Sequence, residues 1–188
     1  MTTTLLSLGA LTVAAYQVRT GDSTSAASAV SAALIEGEGI VEDELRRLLP
    51  LDSRDESMVI RDEGRMFPKA WPLVSCATNT IDGRMLLGGV PDFEQFIIMV
   101  GADSSITPRA TVTYTGGFDA DTLPPTLANA IYDLAHVLVG AASPVPVGAT
   151  AMSVGDVSVS FGAPVSGGLD AYVPGLSDRL RKYRNRWV

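Results

Sequence analysis

The spacing of apolar residues predicts a helical region over residues 1–50. A short helix over residues 12–21 is expected to stop at Gly21, because glycine readily adopts the left-handed conformation that closes helices. Asp22 or Ser23 is then in position to cap a second helix with its side-chain oxygen. That helix carries an apolar stripe at helical spacing, made of Val30, Leu34, Val41, Leu45 and Leu48.

Two glycines and a proline punctuate the second helix. Gly37 falls on the apolar stripe and Gly39 lies close to it. Each glycine costs a helix about 1 kcal/mol relative to alanine, so the pair marks either a kink or a close contact with another helix. Pro50 is expected to end the segment, because proline lacks the N–H that a helix interior requires.

The middle of the chain, residues 56–116, changes from helical to strand periodicity. Turn signals rich in Gly, Asp and Ser separate its apolar segments. An unbroken apolar run over 96–100 is expected of a strand buried on both faces. Strands are predicted over 57–61, 65–67, 73–78, 84–87, 93–100 and 109–115.

A helix is predicted again over residues 122–140. Thr122 or Leu123 is the expected N-cap, and Pro124 and Pro125 fit the first turn, where no helical N–H is needed. The apolar stripe of this helix consists of Leu127, Ile131, Leu134 and Leu138. The opposite, polar face carries Asn129, Asp133 and His136.

Residues 142–170 are rich in Gly, Pro, Ser and Ala and are predicted to form an extended loop. Inside it, Val157, Val159 and Phe161 alternate with serines. A segment of this kind can add itself as a strand to the sheet of a neighbouring molecule. An ordinary edge strand or loop is the alternative.

The chain closes with a predicted basic helix over 177–187. Its apolar stripe, Leu176, Leu180, Tyr183 and Trp187, needs a surface to pack on, because an isolated helix of this length is unstable in water. That surface is either a partner or the chain's own core. The other positions carry Arg179, Arg181, Lys182, Arg184 and Arg186, and cations near a helix C-terminus are also favoured by the helix dipole.

Composition fits a single domain over residues 1–188. Hydrophobic residues make up 46% of the chain, enough for a packed core. The net charge of −7 argues against a protein that grips nucleic acid over its whole surface. The charge is uneven: residues 178–188 carry five basic residues and one acid, and the rest carries nine basic and 20 acidic residues. An acidic body with a basic tail suits electrostatic docking onto another protein.

Candidate chemistry is sparse. Cys76 is the only cysteine, which excludes an intrachain disulfide and a cysteine-based zinc site. His136 is the only histidine and shares a helix face with Asp133, but no nucleophile motif accompanies them. The Gly-Gly pairs lack the lysine of a phosphate-binding loop, so no cofactor is expected. The apolar run from Leu5 to Val18 has no basic residue before it and is too short to span a membrane.

Three stretches together resemble the head-to-tail adaptor, or connector, proteins of long-tailed bacteriophages. The first runs from Glu-Asp-Glu-Leu-Arg-Arg-Leu-Leu at 42–49, through Arg-Asp-Glu-Gly-Arg at 61–65, to Pro-Lys-Ala-Trp-Pro at 68–72. The second is Val-Thr-Tyr-Thr-Gly-Gly-Phe at 112–118 and the proline-started helix that follows. The third is the ending over 176–187, with its Leu-x-x-Tyr-Arg core.

The resemblance implies a structural virion protein of the capsid–tail neck, made in the host cytoplasm. Such adaptors form a dodecameric ring beneath the portal protein, extend the channel for genomic DNA without binding it specifically, and hold the next neck or tail protein. It implies portal contact through Leu176, Arg179, Leu180, Arg181, Lys182, Tyr183, Arg184, Arg186 and Trp187. It also implies neighbour contact through Val157, Val159 and Phe161.

The fold expected from sequence and resemblance is α+β, with no membrane partner and no catalytic activity. It has N-terminal helices, a strand-rich insertion over 56–116, a long helix over 122–140, an extended loop over 142–170 and a basic helix over 176–188. A head-closure (stopper) or tail-terminator subunit is the nearest alternative function. A small hydrolase with Asp133 and His136 in its site is a more distant one.

Overall fold

In a computed structural model, the protein is an α+β chain of helices packed beside antiparallel sheets. The described residues are 3–59, 65–81, 84–86, 90–92, 97–99, 109–141, 151–154, 157–160 and 169–184. Five α-helices lie within them: α1 (Val13–Thr20), α2 (Ala27–Leu45), α3 (Pro125–Ala141), α4 (Leu169–Tyr172) and α5 (Leu176–Leu180). None of these helices combines the length and the apolar character needed to cross a membrane.

Helix α1 ends at Gly21, as predicted, and Thr12 caps its start. The hydroxyl of Thr12 accepts a hydrogen bond from the N–H of Ala15 at 3.1 Å. Gly21 closes the other end in the left-handed conformation, with φ of 73°. Both ends of α1 are therefore set by local sequence.

The ends of α2 differ from the prediction. Asp22 does not cap this helix: its carboxylate accepts the N–H of Ser25 at 3.0 Å and closes the connection after α1. The helix starts only at Ala27, and its N-cap, Ala26, makes no side-chain hydrogen bond. At the far end, Arg46 takes the left-handed conformation (φ 53°) and stops α2 before Pro50 is reached.

The α2 and α3 stripes pack together in the main core. The α2 residues Val30, Leu34, Val41 and Leu45 and the α3 residues Leu127, Ile131 and Leu134 are all buried. Gly37 lies at this contact, where an added Cβ would sit 3.4 Å from the carbonyl oxygen of Ile131. Gly37 therefore marks a close helix contact, and Gly39, with open space around it, does not.

The strands form separate antiparallel sheets. The largest contains β1 (Asp52–Val59), β7 (Arg109–Gly116), β3 (Leu73–Ile81) and β4 (Arg84–Leu86), in that order. A second contains β2 (Arg65–Met66), β6 (Ile97–Met99) and β5 (Val90–Asp92), and a third pairs β8 (Ala151–Val154) with β9 (Val157–Ser160). Strand β1 begins at Asp52, earlier than its predicted start at residue 57. It pairs with β7 over its full length, from Asp52 opposite Gly116 to Val59 opposite Arg109.

A smaller core lies against the four-stranded sheet. It is formed by Met58, Met66, Ala70, Leu73, Val112 and Tyr114. The phenol of Tyr114 donates to the carboxylate of Glu56 at 2.7 Å and accepts the N–H of Ala70 at 3.2 Å. The pKa of Tyr114 is raised, mainly because the phenol is buried, so the phenol stays protonated. Through its two hydrogen bonds it links the sheet to the segment before β3. Cys76 lies half-buried on β3.

The end of β7 passes between two other backbone segments. The N–H of Gly117 donates to the carbonyl of Pro72 at 2.9 Å, and the N–H of Phe118 donates to the carbonyl of Leu49 at 2.6 Å. Gly117 has φ of 114°, in the region that favours glycine. This crossing ties the sheet to the helical core, because Leu49 and Phe118 belong to that core.

The N-terminal segment over residues 3–11 is docked on the helices. Leu5 and Leu11 are fully buried. The N–H of Leu5 donates to both carboxylate oxygens of Glu38 at 3.1 Å, and the N–H of Thr12 donates to the hydroxyl of Tyr132 at 3.2 Å. Glu38 is only 3% exposed, and burial raises its pKa to about 7.

Candidate assembly interface

The apolar stripe of the C-terminal segment faces the chain's own core. Leu176 is 0% exposed, Leu180 is 1% exposed and Tyr183 is 9% exposed. All three belong to the main core, and the Tyr183 ring lies 6.3 Å from that of Trp71. Their side chains hold the segment on the body, so they are not a free face that awaits a partner.

The C-terminal helix is shorter than the sequence predicts. It begins after Gly175, which has φ of 75°, spans Leu176–Leu180 and continues as a 3₁₀ turn over Arg181–Tyr183. Arg184 is already extended, with ψ of 133°. The predicted helix over 177–187 is therefore wrong at Arg184, because contacts with the core, rather than helical propensity alone, hold this segment. Arg186 and Trp187 lie outside the described residues.

The basic residues of this segment fall into two groups. Arg179 binds the carboxylate of Asp133 at 3.0 Å, and Arg184 lies 3.6 Å from that of Glu44. Arg181 and Lys182 are exposed and pair with no carboxylate of the described residues. Lys182 lies over the Tyr183 ring, 4.7 Å from its centroid. Arg181 and Lys182 are thus two exposed cations for which the described residues provide no carboxylate partner.

Asp133 serves as an ion-pair partner for two other elements. One carboxylate oxygen lies 2.6 Å from Arg19 of α1, and the other binds Arg179 of α5 at 3.0 Å. His136, one turn further along α3, faces the hydroxyl of Tyr16 through Nδ1 at 3.2 Å. These contacts give both residues structural partners. Within the described residues, no cluster of three or more His, Cys, Asp or Glu could hold a metal ion.

The extended loop contains a β-hairpin. Strand β9 includes Val157 and Val159, which lie opposite Val154 and Met152 of β8. In the described part of the chain these two strands pair only with each other. The predicted strand character of the segment is confirmed at these positions, and Phe161 lies outside the described residues.

Sequence reasoning missed β8, although a signal for it exists. The stretch Ala-Met-Ser-Val at 151–154 and the stretch Val-Ser-Val-Ser at 157–160 are separated by two residues, Gly155 and Asp156. Two strand-like runs joined by Gly-Asp are typical of a tight hairpin. The ion pairs of Asp133 have no such sequence signal, since Arg19 and Arg179 lie 114 and 46 positions away.

Comparison with protein-family models finds no match, and comparison with curated proteins finds none. The three-dimensional arrangement, in contrast, matches solved structures along nearly the whole chain. The fold is shared with chains in the neck of a gene transfer agent particle.

Three of these solved structures match this chain about equally well. A chain in the neck of the native particle, computed with C12 symmetry, matches with a TM-score of 0.62 and 17% identity, covering 100% of this chain and 94% of that one. A chain in the neck of the empty particle, computed with C6 symmetry, gives 0.59 and 18%, covering 100% and 95%. A chain in the virion of the native particle gives 0.55 and 17%, covering 96% and 92%.

Proposed function

We propose that this chain is a structural subunit of a virion neck and, more specifically, a head-to-tail adaptor. Copies of it form a ring, with twelve members as the expected number, beneath a portal protein. The ring extends the DNA channel and holds the next neck or tail protein. The observation that carries this proposal is the fold shared with gene transfer agent neck chains over the full length of the sequence.

The charges of the chain support a channel subunit. Outside residues 178–188 the chain carries nine basic and 20 acidic residues. A conduit for DNA must not hold phosphate tightly, because every neutralised phosphate adds affinity and would slow passage. An acidic body satisfies that requirement, and the basic tail is then available for protein contact.

The portal contact is assigned to the exposed cations rather than to the buried stripe. Leu176, Leu180 and Tyr183 are already buried within the chain, so docking can remove little further apolar area from water. Arg181 and Lys182 remain exposed, and arginine is enriched among the residues that dominate protein interfaces. The resemblance to adaptor proteins adds Arg186 and Trp187 to the proposed contact.

We expect the double substitution Arg181→Gln and Lys182→Gln to weaken portal binding while leaving the fold intact. Both side chains are exposed, so their loss should change the melting temperature little. The affinity for immobilised portal should fall by about tenfold or more. Point substitutions are preferable to truncation after Pro174, because truncation would remove three core side chains, Leu176, Leu180 and Tyr183.

The matched control is Ser28→Glu with Ala32→Glu, two exposed positions of α2. It changes the net charge by the same amount at a different place. A loss of binding in both variants would indicate a general charge effect, and no loss in either would contradict the proposed contact. A stopper or tail-terminator subunit would bind a neighbouring neck or tail protein without binding the portal.

The hairpin of β8 and β9 is expected to gain protection on assembly. A two-stranded hairpin alone is marginally stable in water, and in the described residues its strands pair only with each other. Hydrogen exchange of residues 151–160 should therefore be fast in the free chain and slower in the ring. Equal exchange in free and assembled protein would contradict a role in contacting neighbours.

A further inference from the structure

A charged cleft at the C-terminal end of α2 is used neither by the core nor by the proposed portal contact. It has a volume of about 450 Å³. Residues of the α2 end and of the segment before β3 line it: Glu42, Asp43, Arg46, Arg47, Leu48 and Lys69. The cleft therefore combines three cations with two carboxylates.

Arg47 lines this cleft with a guanidinium that the described residues leave without a carboxylate partner. Its guanidinium stacks on Trp71, 5.1 Å from the ring centroid. Trp71 is itself held edge-to-face against Phe118, with centroids 5.6 Å apart. The Nε of Arg47 is buried and has no hydrogen-bond partner among the described residues, and no ion pair joins Arg47 to their carboxylates.

Glu42, one of the two acids that line the cleft, is already engaged. The carboxylate of Glu42 accepts the N–H of Leu49 at 2.7 Å and closes the turn that follows α2. Without a counter-ion among the described residues, the half-buried guanidinium of Arg47 lowers the stability of the isolated chain, because its lost hydration is not replaced. Burial lowers the pKa of Arg47 to about 10, so the group is still charged at neutral pH. Such a local cost is typical of a site that a ligand completes.

We propose that this cleft receives a carboxylate side chain from a second copy of this chain, with Arg47 as the residue that binds it. The inference rests on the proposed ring. A planar guanidinium presents paired donors that match the two oxygens of a carboxylate. The stacking on Trp71 holds that plane in place before the partner arrives, which reduces the ordering cost of binding.

Charge and symmetry both favour a second copy as the source. In a closed ring the contact is heterologous, so a cleft on one flank meets a different surface of the next subunit. The chain outside its last 11 residues has 20 acidic and nine basic residues, so we expect the surface that meets the cleft to offer carboxylates. The carboxylates of Glu42 and Asp43 lie at the cleft and repel anions. They repel a phosphate polyanion more strongly than they repel a single incoming carboxylate.

The test measures how cooperatively subunits bind to immobilised portal and compares the wild type with the variant Arg47→Met. Arg47→Met keeps an unbranched side chain on Trp71 and removes the charge. We expect the melting temperature to stay the same or rise, because an unpaired charge is lost. The first subunit should bind the portal as before, whereas cooperativity should disappear and half-saturation should shift by about tenfold.

The matched control is Arg19→Met, since Arg19 already has its counter-ion within the chain, Asp133 at 2.6 Å. This variant should lower the melting temperature and leave cooperativity unchanged. If the wild-type protein binds portal without cooperativity, or does not bind it, the proposed ring is contradicted. The inference about the cleft is then contradicted as well, because it rests on the ring. If wild type is cooperative and Arg47→Met is equally so, only the inference fails.

Two further outcomes would overturn the assignment of the cleft. A melting temperature that falls in Arg47→Met would show that the charge of Arg47 is already stabilised within its own chain. Reduced binding of a 30-base-pair DNA duplex, with cooperativity unchanged, would show that the cleft takes phosphate instead of a carboxylate.

Discussion

Gly117→Ala is expected to destabilise the folded chain by about 4 kcal/mol. Two effects add. The backbone at Gly117 has φ of 114°, and a non-glycine residue in such a region costs about 1–3 kcal/mol. The added Cβ would also overlap the carbonyl oxygen of Pro50 and lie 2.7 Å from that of Leu49. Backbone atoms cannot rotate away, and overpacking of this kind costs about 1–3 kcal/mol.

The reason for the large effect is the position of Gly117 at the crossing between sheet and helices. Neighbouring Phe118 donates to the carbonyl of Leu49 at 2.6 Å, and its own carbonyl accepts the N–H of Leu51 at 2.8 Å. A shift that makes room for a methyl group would lengthen these bonds. Thermal unfolding should show a melting temperature lower by about 10 °C, since 1 kcal/mol corresponds to about 2–4 °C in a domain of this size.

Gly39→Ala is the matched control. Gly39 lies within α2, and an added Cβ would meet nothing within 4 Å. This substitution should stabilise the chain by about 0.5–1 kcal/mol, the usual helix penalty of glycine. If Gly117→Ala and Gly39→Ala melted alike, the crossing would not be as tightly packed as its geometry indicates.

Stability is expected to fall as the pH rises through the range in which Glu38 titrates. Burial raises the pKa of Glu38 from its ordinary 4.5 to about 7, and the nearby Glu42 carboxylate adds to the rise. Below pH about 4.5 the group is protonated in both the folded and the unfolded chain. Between 4.5 and about 7 the unfolded chain loses this proton while the folded chain keeps it. The unfolded state then binds fewer protons, so the free energy of unfolding decreases.

We expect the titration of Glu38 to lower the free energy of unfolding by about 3 kcal/mol, at about 1.4 kcal/mol per pH unit. This decrease is complete above pH about 7. Glu38→Gln removes the titration and leaves a neutral side-chain oxygen that can still accept the N–H of Leu5. Urea unfolding between pH 5 and 8 should therefore show a flatter profile for Glu38→Gln and a more stable protein at pH 8.

Glu36→Gln is the control for this pH dependence, because Glu36 is an exposed acid of the same helix. Its profile should follow wild type. The difference between wild type and Glu38→Gln isolates Glu38 from the other titrating groups, including Asp22, whose hydrogen bonds with Ser25 lower its pKa. Parallel profiles for all three proteins would contradict a carboxyl whose pKa is raised by burial.

Periodicity in the sequence determined which faces of the helices and strands are apolar. The stripe of α3 and the strand over 109–115 were predicted, and Leu127, Ile131, Leu134, Val112 and Tyr114 are buried. Local capping residues, Thr12 and Gly21, also determined both ends of α1. These features depend on neighbours within about four positions, so one sequence is sufficient to predict them.

What each apolar face packs against was decided by the tertiary structure. The stripe of α5 was visible in the sequence, but periodicity does not distinguish the chain's own core from a partner surface. Residues distant in sequence surround Leu180 and Tyr183, so the segment closes the core of this chain. The same contacts end the helix before Arg184, whereas local pattern alone extends it to residue 187.

The charged contacts, too, were decided by tertiary packing. Asp133 meets Arg19 and Arg179 only because α1, α3 and α5 come together, and Arg47 reaches Trp71 across the turn that ends α2. Sequence determined that these residues carry charge and lie off the apolar stripes. Their pairing depends on distances of a few ångströms between segments far apart in the chain. Coulomb interactions and hydrogen bonds fall off within those distances, so only the folded arrangement determines which charges are paired.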